Sequence, residues 1–251
     1  MIGVFDSGIG GLTLLAALRK ELPKENFVYY ADTDNVPYSY KTPDEIRGYV
    51  EEAFLFLCNK GCKAVVLACN TATNVAVEYL RQKYIFPIIA IQPAVKVARD
   101  NGSPEKRILV CATPITLASE RFNNLAKSLN VSHLIDKLPL PKLVEFAEKE
   151  NFRSPEVIEY LKEEFGKFSV SDHEYVVLGC THFTFFEDLI VELFPNLTPI
   201  DGNAGTARHL KNTLYHLQLL KGKEEGSVVF YESGRGVENN ARFVRLLNFI
   251  S

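Results

Sequence analysis

Two short stretches place a thiol among other polar side chains where an apolar run stops. In "VVLGCTHFT" (176–184) the run Val176-Val177-Leu178 meets a glycine, and Cys180, Thr181 and His182 follow at once. In "VVLACNTAT" (65–73) three apolar residues and an alanine lead to Cys69, Asn70 and Thr71. A strand end that only packs needs none of these groups. A free thiol ionises near ~8.5, close enough to neutrality to take up or release a proton. Two of them suit proton transfer at a carbon centre, one removing the hydrogen of an α-carbon and the other returning one, so that configuration inverts. His182, two residues beyond Cys180, is the candidate partner of that thiol. Asp6, in "FDSGIGG", is the candidate partner of Cys69. A histidine in "THF" is by itself as readily structural; its place beside a strand-end cysteine is what favours chemistry.

The other cysteines ask for less. There are five, at 58, 62, 69, 111 and 180, an odd number with no small disulfide framework around them. Cys58 and Cys62 are spaced C-x-x-x-C at an expected helix end, and no second pair accompanies them, so a zinc site is not expected. Cys111 closes the apolar run "RILVC" and reads as packing. "DSGIGG" lacks the lysine of a P-loop and the full dinucleotide fingerprint, and an aspartate at its head repels phosphate while attracting an ammonium group.

The elements that must position these residues alternate. Apolar runs at 2–5, 27–31, 63–68, 87–91, 107–110 and 175–178 predict strands. Helical patterns lie between them: Leu12, Leu15 and Leu18 face inward, and Thr42-Pro43-Asp44-Glu45 reads as a capping box with proline at the first helical position. Ser154-Pro155-Glu156 opens another helix. Amides after Ser7 and after Cys69 are expected to open helices, where partial positive charge suits a carboxylate. All-apolar strands alternating with helices predict mainly parallel sheets covered on both faces, with ligands at the carboxyl ends of the strands.

The two cysteine stretches echo each other, and so do "IGVFDSGIGG" and "ILVCATPIT" before them, which pairs Asp6 with Cys111. The chain therefore reads as two similar α/β domains, residues 1–94 plus 208–251 and residues 95–207, with the active site in a cleft between them. At 47% hydrophobic and 24% charged, with a formal charge of −3, the composition suits a globular protein and gives no basic face for nucleic acid or a membrane surface. No apolar run reaches the roughly 18 residues of a membrane span, and "MIGVFDSGIGG" does not read as a signal peptide, so a cytoplasmic location is expected.

"GVFDSGIGGLT", "NVPYS", "ACNTAT" and "LGCTHF" together resemble the cofactor-independent aspartate/glutamate racemase superfamily, glutamate racemases in particular, and the similarity runs in order as far as "VVFYESG" near the end. The resemblance implies racemisation of glutamate to supply D-glutamate for peptidoglycan, with no pyridoxal phosphate and no metal, in a protein that is often a homodimer. It implies that Cys69 and Cys180 are the catalytic thiols, assisted by Asp6 and His182. Asp6 and Ser7 fall at the substrate amino group, Asn70 with Thr71 and Thr181 with His182 on substrate-binding pairs, and Tyr38 with Ser39 at the side-chain carboxylate. Thr113 and Thr116 fall on hydroxyls near a carboxylate, and Glu145 of "LVEFAE" on a glutamate that supports catalysis. Ser39, Asn35, Thr184 and Gln92 stand where the family mostly has glycine, arginine, proline and glutamate, and 132–150 is the least family-like stretch. Aspartate racemase remains the nearest rival. A Cys–His hydrolase using Cys180 and His182 would leave Cys69 without a role, and a binding protein on this fold would not need both thiols.

Overall fold

The computed structural model describes residues 1–103, 105–220 and 225–250. The chain opens with β1 (Ile2–Asp6), buried along its whole length. Its end is shaped by the glycines that follow. The Asp6 carboxylate accepts a hydrogen bond from the Gly8 amide at 3.0 Å, and a Cβ at Gly11 would stand 2.6 Å from the Cβ of Asp6, so no larger residue fits beside the carboxylate. The glycine turn leads into α1 (Leu12–Glu21), which buries Leu12, Leu14, Leu15 and Leu18; the amide directly after Ser7 does not open that helix and is bonded to Asp6 instead. β2 (Phe27–Ala31) follows. α2 (Pro43–Asn59) has the full reciprocal capping box between Thr42 and Glu45. β3 (Ala64–Leu67) leads through Ala68 to Cys69, the cap of α3 (Asn70–Lys83), and β4 (Ile88–Ala90) completes the first run of strands.

Contacts divide the chain into one unit of Met1–Ile91 with the segment from Asn203, and a second of Gln92–Gly202. The second contains α4 (Val95–Asn101), β5 (Arg107–Ala112), α5 (Pro114–Ala118), α6 (Glu120–Ser128), β6 (Ile135–Pro139), α7 (Pro141–Glu148), α8 (Pro155–Phe165) and β7 (His173–Leu178). A 3-10 stretch (Thr181–Phe186), α9 (Glu187–Leu193) and β8 (Thr198–Ile200) close it. Val95, Ala98, Ile108, Val110, Phe122, Val131 and Val177 form a shared core under the sheet. Cys111 is fully buried, and burial pushes its thiol far above the ordinary range, which leaves it as packing. The chain then returns to the first unit as α10 (Asn203–His216), β9 (Val228–Glu232), β10 (Arg235–Gly236) and α11 (Ala241–Ile250).

The first unit's sheet has the order β10-β9-β2-β1-β3-β4, parallel except that β10 runs against β9; the second's is β6-β5-β7-β8, wholly parallel. The run β2-β1-β3-β4 thus repeats as β6-β5-β7-β8. Register makes the repeat residue-specific. Phe5 pairs Leu67 as Cys111 pairs Leu178, and two residues past Leu67 and Leu178 stand Cys69 and Cys180. The same register sets Ala112, not Cys111, at the position of Asp6, so the echo that pairs Asp6 with Cys111 is out by one. Spacing along a chain does not carry strand register, and a one-residue slip turns a side chain to the other face.

Four strands lie outside the sequence reading. β6 has only one buried residue and a lysine within it, β8 is three residues long, β9 has a single buried position and β10 is two residues. None offers the apolar run that marks a buried strand.

Candidate active site

The carboxyl ends of β1, β2 and β3 gather Asp6, Ser7, Tyr38, Ser39, Cys69, Asn70 and Thr71 on one edge of the first unit. Cys69 leaves β3 in an extended conformation and caps α3 with its sulfur, which accepts from the Ala72 amide at 3.4 Å. The Ser7 hydroxyl donates to the same sulfur at 3.5 Å. Both donors, and the positive end of the helix, favour negative charge on that atom. Asp6 is fully buried, and Ser7 and Cys69 nearly so. Asn70 is buried too, and its side-chain oxygen has no partner among the described residues, a spare acceptor one residue from the thiol.

Asp32, directly after β2, is a hub that the sequence reading does not contain. Its carboxylate accepts from Tyr38 Oη at 2.6 Å, from Asn35 Nδ2 at 3.0 and 3.1 Å and from Ser233 Oγ at 3.1 Å. Burial, then the charge of Asp32 and the bond to it, push the Tyr38 hydroxyl far above its usual range, with smaller contributions from Cys69 and Asp6. The one Tyr38 hydroxyl proton is committed to Asp32, so what Tyr38 offers its surroundings is its ring and the main chain of the Tyr38–Tyr40 turn.

The second unit builds its edge differently. Cys180 follows β7 through Gly179, where a Cβ would stand 3.0 Å from Ala112 Cβ and 3.1 Å from Cys111 O. Cys180 Sγ lies 3.9 Å from His182 Nδ1, and His182 Nε2 lies 2.7 Å from Glu148 Oε1. Burial opposes a charge on His182, but the bonds to Cys180 and to the Glu148 carboxylate outweigh it and hold the imidazole well above its usual range. The imidazole is thus held between a sulfur and a carboxylate in surroundings that favour its charged form. Thr181 is buried beside it. The Thr113 hydroxyl caps α5 and donates to the Thr116 hydroxyl at 3.0 Å, both buried at the end of β5.

The carboxylate on His182 is Glu148, one turn beyond Glu145 on α7. Glu145 is half-buried on the same helix. An E-x-x-E spacing sets both on nearly the same face, and the chain there, "LVEFAEKE", offers no local mark that distinguishes them. Asp32 was legible only as the acid of "ADTDN", one of two.

A model of the Asp/Glu/Hydantoin racemase family matches residues 12–210. Among relatives, glutamate racemase of Lachnospira eligens is 45% identical, covering 96% of this chain and 92% of that one. Glutamate racemase 2 of Bacillus subtilis is 46% identical, covering 94% and 89%. Among solved structures, glutamate racemase of Francisella tularensis in complex with D-glutamate superposes with a TM-score of 0.84 at 25% identity, covering 98% and 93%. That of Thermus thermophilus does so at 0.80 and 28%, covering 100% and 92%.

Proposed function

The chain belongs to the Asp/Glu/hydantoin racemase family, and from that premise we propose that it interconverts L- and D-glutamate by proton transfer through two thiols, supplying D-glutamate for peptidoglycan. The observation that carries the reading is the equivalent placement of two buried thiols after β3 and β7, each with its own polar partners.

In this reading Cys180 is the base for L-glutamate and Cys69 the base for D-glutamate, each acting as the acid in the reverse direction. Removing the α-hydrogen leaves a carbanion that the other thiol protonates, so the net reaction consumes nothing. His182, held cationic against Glu148, stabilises the Cys180 thiolate. Ser7 and the Ala72 amide do the same for Cys69. Asp6 and the spare oxygen of Asn70 suit the substrate ammonium; Thr71, Thr113, Thr116 and Thr181 supply hydroxyls for its carboxylates. The Tyr38–Ser39 turn meets the side-chain carboxylate. Glu145 is assigned to support the Cys180 side from α7. No described helix is long and apolar enough to cross a membrane; a cytoplasmic homodimer that needs neither metal nor pyridoxal phosphate belongs to the same reading.

The test follows ellipticity of L-glutamate and, separately, L-aspartate with purified protein dialysed against chelator. Glutamate is expected well ahead, since one methylene changes kcat/KM by about ten- to two-hundredfold in a shaped site. A preference for aspartate would overturn the substrate. Activity that is lost on dialysis and restored by a metal or pyridoxal phosphate would overturn the two-thiol reaction.

A further inference from the structure

The hairpin β9–β10 turns through Ser233 and Gly234, with φ of 42° and 81°. Two positive values in a two-residue loop define a type I′ turn, for which asparagine, aspartate and glycine are the favourable first residues. Serine there is a choice against the backbone's own preference. Its side chain shows what that choice achieves. Ser233 Oγ accepts from the Asp34 amide at 3.0 Å and donates to Asp32 Oδ1 at 3.1 Å, so one hydroxyl joins the hairpin to both ends of the Asp32–Asp34 loop. The Ser233 amide donates to Ala31 O at 2.8 Å. Two residues on, Arg235 grips the Asp34 carboxylate with both terminal nitrogens, at 2.7 and 2.8 Å. Asp32 in turn holds Tyr38 Oη at 2.6 Å.

We propose that the β9–β10 hairpin is a positioning device for the substrate side-chain subsite, with Ser233 its principal residue, acting through Asp32 on the Tyr38–Ser39 turn. The hairpin's role rests on the proposed contact of this turn with the side-chain carboxylate. A carboxylate that accepts from three side chains is fixed in orientation only while all three are present. Without Ser233 one oxygen of Asp32 loses a donor from outside its own loop, and Tyr38 is then held by a carboxylate anchored only by Asn35 from the same loop. Such loosening affects ground state and transition state alike, which raises KM and spares kcat.

Ser233→Gly separates positioning from folding, because glycine suits a positive φ better than serine does. The expected result is an unchanged or higher Tm, a KM for glutamate raised about three- to tenfold, and kcat within about twofold of wild type. Arg235→Lys, which loses the two-pronged grip at an exposed site, is expected to raise KM about twofold and decides the matter alone if Ser233→Gly does not fold. Ser39→Asp tests the underlying reading by setting a like charge in the subsite, and its KM should rise more than either. A wild-type KM in Ser39→Asp would overturn that reading and this inference with it. A raised KM in Ser39→Asp beside wild-type values in Ser233→Gly and Arg235→Lys would overturn the hairpin's role alone.

Discussion

The two units repeat one strand order and differ in how they surround the thiol. In the first, the sulfur of Cys69 is a helix cap that accepts from Ser7 and from the Ala72 amide. In the second, Cys180 caps nothing with its sulfur and faces the His182 imidazole. The segment after the second strand also diverges from a common start. Asp32 N donates to Asp6 O as Leu140 N donates to Ala112 O, at 3.0 and 3.1 Å. From there the first unit forms the Asp32 loop that holds Tyr38, and the second forms α7, whose Glu148 holds His182. In each unit a carboxylate beyond that strand orients one ring, by different local structures. The repeated scaffold fixes where a thiol stands; the loops decide what tunes it.

Thermodynamics limits how that asymmetry can be seen. Enantiomers are equally stable in water, so kcat/KM must remain equal in the two directions whatever residue is changed; a one-sided effect cannot appear in that ratio and is read in exchange of the α-hydrogen with solvent. The largest effects come from the thiols. Cys69→Ser and Cys180→Ser should each lower racemisation by about two powers of ten or more, the contribution of a positioned acid–base group. In D2O, Cys180→Ser is expected to exchange only D-glutamate and Cys69→Ser only L-glutamate. Near-normal racemisation in either variant would end the two-thiol reading. The reverse exchange pattern would swap the roles of the units.

Glu148→Gln breaks the comparison on the ionic side. It keeps the shape and removes the charge that helps hold His182 up. A charge-assisted bond is worth about 1.5–3 kcal/mol, so kcat/KM should fall by about one to two powers of ten. The imidazole should lose its proton at lower pH than in wild type, moving the alkaline limb of the kcat/KM profile downward. Stability gives an independent reading. A histidine whose folded pKa is raised contributes stability that is complete below its unfolded value of about 6.5 and is lost as pH rises through the folded value. The Tm gap between wild type and Glu148→Gln should therefore be widest below that unfolded value and narrow as the pH rises. An unmoved alkaline limb would mean that another group sets it.

What the sequence made legible follows from what each element needs. β1, β3, β5 and β7 are buried over most of their length around apolar runs, and Cys69 and Cys180 stand two residues beyond β3 and β7, so the fold and the place of both thiols at strand ends could be read from the chain. Thr42 and Glu45 could be read because a capping box is a local bond. Asp32, Ser233 and Glu148 could not. Asp32 and Ser233 are far apart in sequence and meet through strand pairing of β2 with β9, and β9 has too few buried residues to announce itself. Glu148 was a choice between two acids one helical turn apart, which only the position of His182 distinguishes. The glycine turn leading into the helix of Leu12, Leu15 and Leu18 could be read, but the close approach of Gly11 to Asp6 and the bond from the Gly8 amide to its carboxylate show only once the chain is folded.

Ser7→Ala sharpens the comparison on the neutral side and should have the smallest effect. It removes one donor from Cys69 and leaves the Ala72 amide in place. A bond of 3.5 Å to sulfur is weak, and a neutral hydrogen bond contributes about 0.5–1.5 kcal/mol, so kcat/KM should fall about threefold, equally in both directions. The asymmetry appears in D2O. Exchange of D-glutamate, which Cys69 initiates, should slow relative to exchange of L-glutamate, which Cys180 initiates. The pH profile should keep its alkaline limb, because His182 is untouched. A loss as large as that of Glu148→Gln would mean that Ser7 also bears on the substrate, as its place beside Asp6 allows. A selective loss of L-glutamate exchange would contradict the assignment of Cys69 to the D enantiomer.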